Sequence, residues 1–254
     1  MKKYICILFL LISLSIYGQG EVNNKQFINV YNTGVDLENQ GLYKQALKCF
    51  LEAYNLGETC FAPFKIAEFY SLGKGTEKDV LESNKWLLIS ANGGLAIAQR
   101  MIADVYYYGL GGWARNISES AKWYLKAAEQ GLPEGQYYIA LAYLEGEGVP
   151  TDFEKGIMWL KKAAENNVAE AQDVLASSYA YGRYGLEKDI NEFVKWSFKA
   201  AENGCAASQG RVGSIYLNGL GGVKADKNEA VRWFKIAAAK GDQFSIQKLS
   251  ELGY

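Results

Sequence analysis

Histidine is absent from all 254 residues of this chain. That one absence excludes Ser-His-Asp and Cys-His nucleophile systems, His-ligated zinc sites and a histidine general base. Proline occurs three times against 27 glycines, so a helical chain punctuated by glycine turns is expected. Neither sign of charge dominates: 27 Lys and Arg face 28 Asp and Glu, a formal net charge of −1. A chain without a dominant basic face is not built to displace counterions from phosphates, so no nucleic-acid partner is expected. Hydrophobic residues make up 49%, enough to bury a real core and too many for a disordered chain.

The opening stretch, MKKYICILFLLISLSIYGQG, has Lys2 and Lys3 before a mostly apolar run from Tyr4 to Tyr17, then small residues at Gly18 and Gly20. This is the pattern of a secretory signal peptide over 1–20, with cleavage expected between Gly18 and Glu21. The run is short for a membrane anchor, and Cys6 has the wrong residues before it for lipid attachment. No second apolar run of spanning length follows, so the mature chain, 21–254, is expected to be exported, periplasmic or secreted, with no stable membrane span. It would carry 25 Lys and Arg against 28 Asp and Glu, a net charge of −3. Three cysteines would remain: Cys49, Cys60 and Cys205. An odd number cannot pair completely, and buried thiols are favoured over a disulfide framework, although Cys49 and Cys60 stand close enough in sequence for a bridge between packed helices.

The rest of the chain repeats itself. Tryptophans fall at 86, 123, 159, 196 and 233, and each leads at fixed distance to a small pair and a helix-ending glycine or asparagine. Trp123 leads to Ala127, Ala128 and Gly131, and Trp159 to Ala163, Ala164 and Asn167. A second helical pattern follows each stop: Ala98-Gln99, Ile102-Ala103 and Tyr106 recur as Gln136, Ile139-Ala140 and Tyr143. They recur again as Ala171-Gln172, Leu175-Ala176 and Tyr179, and as Gln209, Val212-Gly213 and Tyr216. Three residues after each Tyr comes Gly73, Gly109, Gly146, Gly182 or Gly219, and a short loop then ends at Asp79, Asn116, Asp152, Asp189 or Asp226. Those five residues, followed at the fourth position by Glu82, Glu119, Glu192 or Glu229 (Lys155 excepted), predict a capping box at each helix start rather than metal ligands. The in-register tryptophans predict helix packing rather than sugar stacking. The Gly-Leu-Gly-Gly stretches lack the Lys and Ser/Thr of a phosphate cradle and predict turns. The recurring glutamines predict hydrogen bonds between neighbouring helices or loops.

An earlier unit has Gly34, Gly41, Tyr43, Ala46, Phe50 and Ala53 at the spacing of the tetratricopeptide signature, with Cys49 in the tryptophan register. The later units, with their G-x-G-V loops, W-x-x-K-A-A runs and A-Q-x-x-L-A-x-x-Y helices, resemble the Sel-one-like repeat family, a variant of the tetratricopeptide superfamily. The resemblance covers about residues 30 to 254. It implies an all-α fold: an α/α right-handed superhelical solenoid of helical hairpins, in one domain. The expected units are a tetratricopeptide-like hairpin at 21–57, Sel-one-like hairpins at 58–94, 95–131, 132–167, 168–204 and 205–241, and a capping helix at 242–254.

In such an array, invariant positions build the scaffold and varying ones decorate it. The varying positions of each hairpin's first helix include Arg100, Asp104, Tyr107 and Tyr108, then Tyr137, Tyr138, Leu141 and Leu144. Asp173, Ser177 and Tyr181 follow, and then Arg211 and Ser214. The resemblance places this helix on the concave surface, so these residues form the candidate ligand groove, and all of them but Tyr107 and Leu144 are singled out as ligand-binding residues. It also implies a non-catalytic scaffold that binds a protein or peptide. The alternatives are an envelope glycan or peptidoglycan binder, suited by groove tyrosines, or a weak penicillin-binding hydrolase. Relatives of the latter kind carry regularly spaced cysteine pairs that this chain lacks, and no S-x-x-K acyl-transfer site is expected. No cofactor and no metal site are expected.

Overall fold

The computed structural model describes residues 21–254, and the signal-like segment 1–20, with Cys6, lies outside them. The described residues form thirteen helices and no strand. They are α1 (Glu21–Asn39), α2 (Tyr43–Asn55), α3 (Phe61–Leu72), α4 (Val80–Asn92), α5 (Ala96–Tyr108), α6 (Ile117–Glu129) and α7 (Pro133–Glu145). The remainder are α8 (Phe153–Glu165), α9 (Ala169–Tyr181), α10 (Ile190–Glu202), α11 (Ala206–Asn218), α12 (Lys227–Ala238) and α13 (Gln243–Leu252). The chain gathers into two compact units, one ending at Leu95 and one spanning Ala96–Tyr254. The division falls at a joint between repeats.

In the first unit, Ala46, Leu47, Phe50, Ile66 and Phe69 form the buried centre, flanked by Tyr31, Val35 and Trp86. Phe50 and Phe69 meet edge to face at 5.4 Å, and Tyr54 meets Trp86 the same way at 5.0 Å. Here α3 is capped unusually. Its Ncap residue, Cys60, makes no side-chain capping bond, and the buried Glu58 carboxylate instead accepts the N–H groups of Cys60, Phe61 and Ala62. An anion at a helix N-terminus also faces the positive end of the helix dipole.

The second unit is an all-α solenoid of four hairpins, α5–α6, α7–α8, α9–α10 and α11–α12, ending in α13. Each of α7, α9 and α11 packs against two second helices, its own and the one before, which is why their sequences are apolar on more than one side. The second helices bury a single stripe. In α10 it is Val194, Trp196, Ser197, Ala200 and Ala201.

The helix stops read from sequence carry the left-handed backbone they require. Gly73, Gly109, Gly146, Gly182 and Gly219 have φ of 69°, 66°, 74°, 67° and 66°, and even Asn167 adopts φ 64°. The helix starts hold one surprise. Asp79, Asn116, Asp152, Asp189 and Asp226 each accept a first-turn N–H, as expected. The reciprocal half of the capping box is missing. The Ncap N–H goes instead to the carbonyl of the conserved-register tyrosine: Tyr70, Tyr106, Tyr143, Tyr179 or Tyr216. With that donor already satisfied by the backbone, Glu82, Glu119, Glu192 and Glu229 turn outward to Lys85, Lys122, Lys195 and Arg232, three residues on.

The second loop glycine is explained by close approach. A Cβ on Gly148 would lie 2.4 Å from the Ile117 carbonyl at the start of α6. The W-x-x-K spacing also has a physical reading. Lys126, Lys162 and Lys199 place their ammonium groups 3.9, 4.3 and 4.6 Å from the ring centroids of Trp123, Trp159 and Trp196. The same lysines sit in the last helical turn, where a cation meets the negative end of the dipole.

Buried glutamines join one hairpin to the next. Gln172 is fully buried. Its Nε2 donates to the Ala164 carbonyl at the end of α8, and its Oε1 accepts Asn203 Nδ2 from the end of α10 at 2.9 Å. Gln136 accepts Asn166 in the same way, and Gln99 accepts Gln130. At the last hairpin Gln209 Nε2 still donates to Ala201, but Oε1 is buried without a partner. The donor position there is Lys240, whose ammonium goes to the Gly204 carbonyl. Supplying the missing amide, Lys240→Asn, is expected to raise stability by about 1 kcal/mol. Asn203→Ala, which orphans Gln172, is expected to lower it by about 1–3 kcal/mol. Urea denaturation followed by circular dichroism compares both with the parent.

Candidate functional site

The eleven residues marked from sequence lie on α5, α7, α9 and α11, all in the second unit. The structure sorts them into two kinds. The polar ones are tied to one another. Arg100 pairs with Asp104 one turn away at 2.6 Å, and the second Asp104 oxygen accepts the Tyr124 hydroxyl. Asp173 accepts Arg211 from the next hairpin at 2.7 Å and also the Ser208 hydroxyl, while Arg211 reaches Ser177 at 3.2 Å. Ser214 donates to the Gly210 carbonyl of its own helix. These groups clamp helix to helix before they meet any ligand.

The aromatic ones are arranged differently. Tyr138 stacks on Tyr124 with centroids 4.9 Å apart, and Tyr137 leans on Tyr138 at 5.4 Å. Tyr108 and Tyr181 remain 63% and 64% exposed. The Arg183 guanidinium stands 4.9 Å from the Tyr181 centroid. Burial, with Glu170 adding to it, pushes the Tyr137 phenol up to about 12. Burial and the hydrogen bond to Asp104 push Tyr124 up as well, so both stay neutral donors at ordinary pH.

Tyr108, Tyr138 and Leu141 line one cavity of about 200 Å³ between α5, α6 and α7. Tyr107, a varying position not singled out as ligand-binding, completes its polar and aromatic lining together with Tyr124, Glu145 and Glu147, which were not marked, and Ser120 and Ile117 contribute from α6. Tyr137, Tyr181 and the Asp173–Arg211 cluster lie outside it. The cavity has a local cause. In the following hairpin Leu144 is buried over Gly156, where an added Cβ would meet Leu144 Cδ2 at 2.4 Å. Leu144, read from sequence as a groove residue, is therefore core. One hairpin earlier the same positions are Tyr107 and Ser120. Tyr107 gives its hydroxyl to Glu147 at 2.8 Å, and Ser120, 1% exposed, keeps a hydroxyl without a partner. In the first unit the equivalent Ser83 donates to the Ala67 carbonyl. One sequence signal pointed here: Tyr124 occupies the position held by Leu87, Leu160, Ser197 and Phe234, so it alone brings a phenol to this packing site.

The chain's nucleophiles are poorly placed for catalysis. Cys49, Cys60 and Cys205 are free and half-buried. Burial and the nearby Glu58 carboxylate push the Cys60 thiol up to about 11, and burial raises Cys49 too. The S-x-x-K spelling, not expected from sequence, does occur twice, at Ser71–Lys74 and Ser245–Lys248. In neither does the lysine activate the serine. Ser71 donates to the Glu68 carbonyl while Lys74 pairs with Glu38 and Glu68, and Lys248 pairs with Glu251 at 2.7 Å. Among the described residues no cluster of Cys, Asp and Glu could hold a metal ion, and no helix is long and apolar enough to cross a membrane.

Repeated two-helix units with left-handed glycine stops and Asx helix starts define a tetratricopeptide-like solenoid. Residues 30–58, 62–95, 96–132, 133–168, 169–205 and 206–242 each match the family described as Sel1 repeat, and the chain belongs to that family. The first hairpin, which resembles the tetratricopeptide signature, is thus matched as a Sel1 repeat too. A Sel1 repeat protein from Oxalobacter formigenes is similar over 87% of this chain and 89% of its own, at 31% identity and a TM-score of 0.74. The protein c5321, a protective antigen of uropathogenic Escherichia coli strains with the same repeat fold, is 26% identical with a TM-score of 0.55. The match covers 85% of this chain, which spans 54% of that antigen. No curated protein matches the chain. Sel1 repeat proteins are in general protein-interaction scaffolds without catalytic activity.

A thiol held near 11 is almost wholly protonated at pH 8. Cys60 is therefore expected to react with iodoacetamide roughly a hundredfold more slowly than an unperturbed thiol, read by peptide mass spectrometry over time.

Proposed function

We propose that this chain is an exported, non-catalytic adaptor that holds a peptide segment of a protein partner against the first helices of its second unit. One observation carries the reading: the cavity at Tyr108, Tyr138 and Leu141, open beside exposed aromatic surface on a family scaffold made for protein contacts. Tyrosine gives large contact area at small entropic cost, which suits such a face. A sugar platform would need flat rings beside free amide donors. Here the recurring amides are buried in the hairpin joints, and Tyr107 and Tyr108 meet at 80°. This favours peptide over glycan. The raised thiols and the paired lysines of both S-x-x-K stretches support an adaptor over a hydrolase. Export rests on the Lys2-Lys3 start and the apolar run after it.

Photocrosslinking tests the site. A benzophenone amino acid at Tyr108 or Tyr181 is expected to join a protein segment in cells, and the same group at Lys122, on the surface of α6, is not. Equal yields from all three positions, or adducts with glycan alone, would sink the reading. The export half is checked separately. The protein recovered from the envelope or medium is expected to begin between Gln19 and Glu21 by N-terminal mass spectrometry, and an intact Met1 start retained in the cytoplasm would overturn it.

A further inference from the structure

We propose that the cavity between α5, α6 and α7 receives one arginine side chain of the bound segment. The assignment rests on the peptide-binding reading above and names what that site selects. Four features of the lining converge on a guanidinium.

The first is charge. Glu145 and Glu147 are the only ionisable carboxyls in the lining, and no lysine or arginine lines it. Glu147 is held by the Tyr107 hydroxyl, which leaves its remaining lone pairs facing an unneutralised site. Glu145 makes no hydrogen bond or ion pair with another described residue. Of the arginines on α5 and the loop after it, Arg100 pairs with Asp104 and Arg115 donates to the Tyr107 carbonyl.

The second is the aromatic wall. Tyr107, Tyr108, Tyr124 and Tyr138 surround the space, and the negative face of an aromatic ring attracts a cation, more strongly when water is excluded. The chain itself shows the preference. The Arg115 guanidinium stands 5.6 Å from the Tyr107 centroid, and Arg183 stacks on Tyr181. The third is Ser120. Ser120 lines the cavity, and its buried hydroxyl has no partner, an acceptor left over for a donor that the protein does not supply.

The fourth is size. About 200 Å³ is below the roughly 300–1,000 Å³ of pockets that enclose a whole small molecule, and fits one long side chain. Arginine meets all four conditions at once. Its planar group stacks on rings, and its five donors suit carboxylate and hydroxyl acceptors alike. A quaternary ammonium has no donor for Ser120, and an acidic or apolar side chain would leave Glu145 and Glu147 repelled or desolvated.

Two measurements on the full-length protein separate this assignment from the reading beneath it. In the first, N-acetyl-arginine methylamide and its neutral isostere, the citrulline analogue, are titrated while tyrosine ring resonances are followed by NMR. The arginine probe is expected to shift the Tyr108 and Tyr138 rings, and citrulline to leave them in place. In the second, short degenerate peptides with arginine or citrulline fixed at the centre are passed over the immobilised protein. The arginine pool is expected to be retained about tenfold better, and the preference to disappear in Glu145→Gln/Glu147→Gln and in Tyr108→Leu. Both variants change exposed or half-buried groups, and melting curves matching the parent's are required before either is scored. Equal shifts by the two probes, or equal retention of the two pools, overturns the arginine assignment while peptide binding stands. Ring shifts with arginine but no retention of any peptide sustains the cavity and sinks the peptide reading.

Discussion

A buried amide at each joint between hairpins sets the geometry of the second unit. Gln172 shows why. It reaches back to the last turn of α8 with its donor and accepts from the last turn of α10 with its oxygen, so one side chain fixes two second helices relative to its own. Helix ends leave carbonyls without partners, and burial makes each unmet group expensive. Answering that cost with a side chain from the next repeat makes stacking and hydrogen-bond satisfaction the same event. The last hairpin makes the point by omission: with Lys240 in the donor position, Gln209 Oε1 has no partner.

Much of this was legible in the sequence because the chain supplies its own comparison. Glycines, Asx residues and tryptophans at one period identify stops, starts and packing positions, and local backbone chemistry decides each of them. The misreadings share a different cause. Glu82, Glu119, Glu192 and Glu229 stand where a capping box wants them. The tyrosine carbonyl that takes their place comes from the other side of a loop, and no local rule announces it. Leu144 varies between repeats and so looked like decoration, but it varies together with Gly156, which it covers. Variation marks function only when the partner position stays constant.

The candidate site follows the same logic. Selecting variable first-helix positions found Tyr108, Tyr138 and Leu141 but also gathered Arg100, Asp104, Asp173, Ser177 and Arg211, which satisfy one another. A polar residue on a binding face is available to a ligand only if the fold has not already used it. Glu145 and Ser120 pass that test and were missed. The first sits at a helix end, and the second lies on a second helix whose pattern otherwise reads as packing.

Why a hole should persist at this joint and close at the next comes down to one substitution pair. Leu144 on Gly156 fills its space with aliphatic carbon and buries no polar atom. Tyr107 in the same position cannot do this cheaply. Its hydroxyl demands a partner and finds Glu147 at the loop, and Ser120 is left without one. The space left behind is lined by rings, two carboxylates and an unused hydroxyl. An empty cavity of that kind costs stability in both packing and unmet hydrogen bonds. A scaffold that satisfies its buried amides at every joint but the last keeps this defect where it is also open to solvent and flanked by the exposed Tyr108, which is where a ligand can reach it.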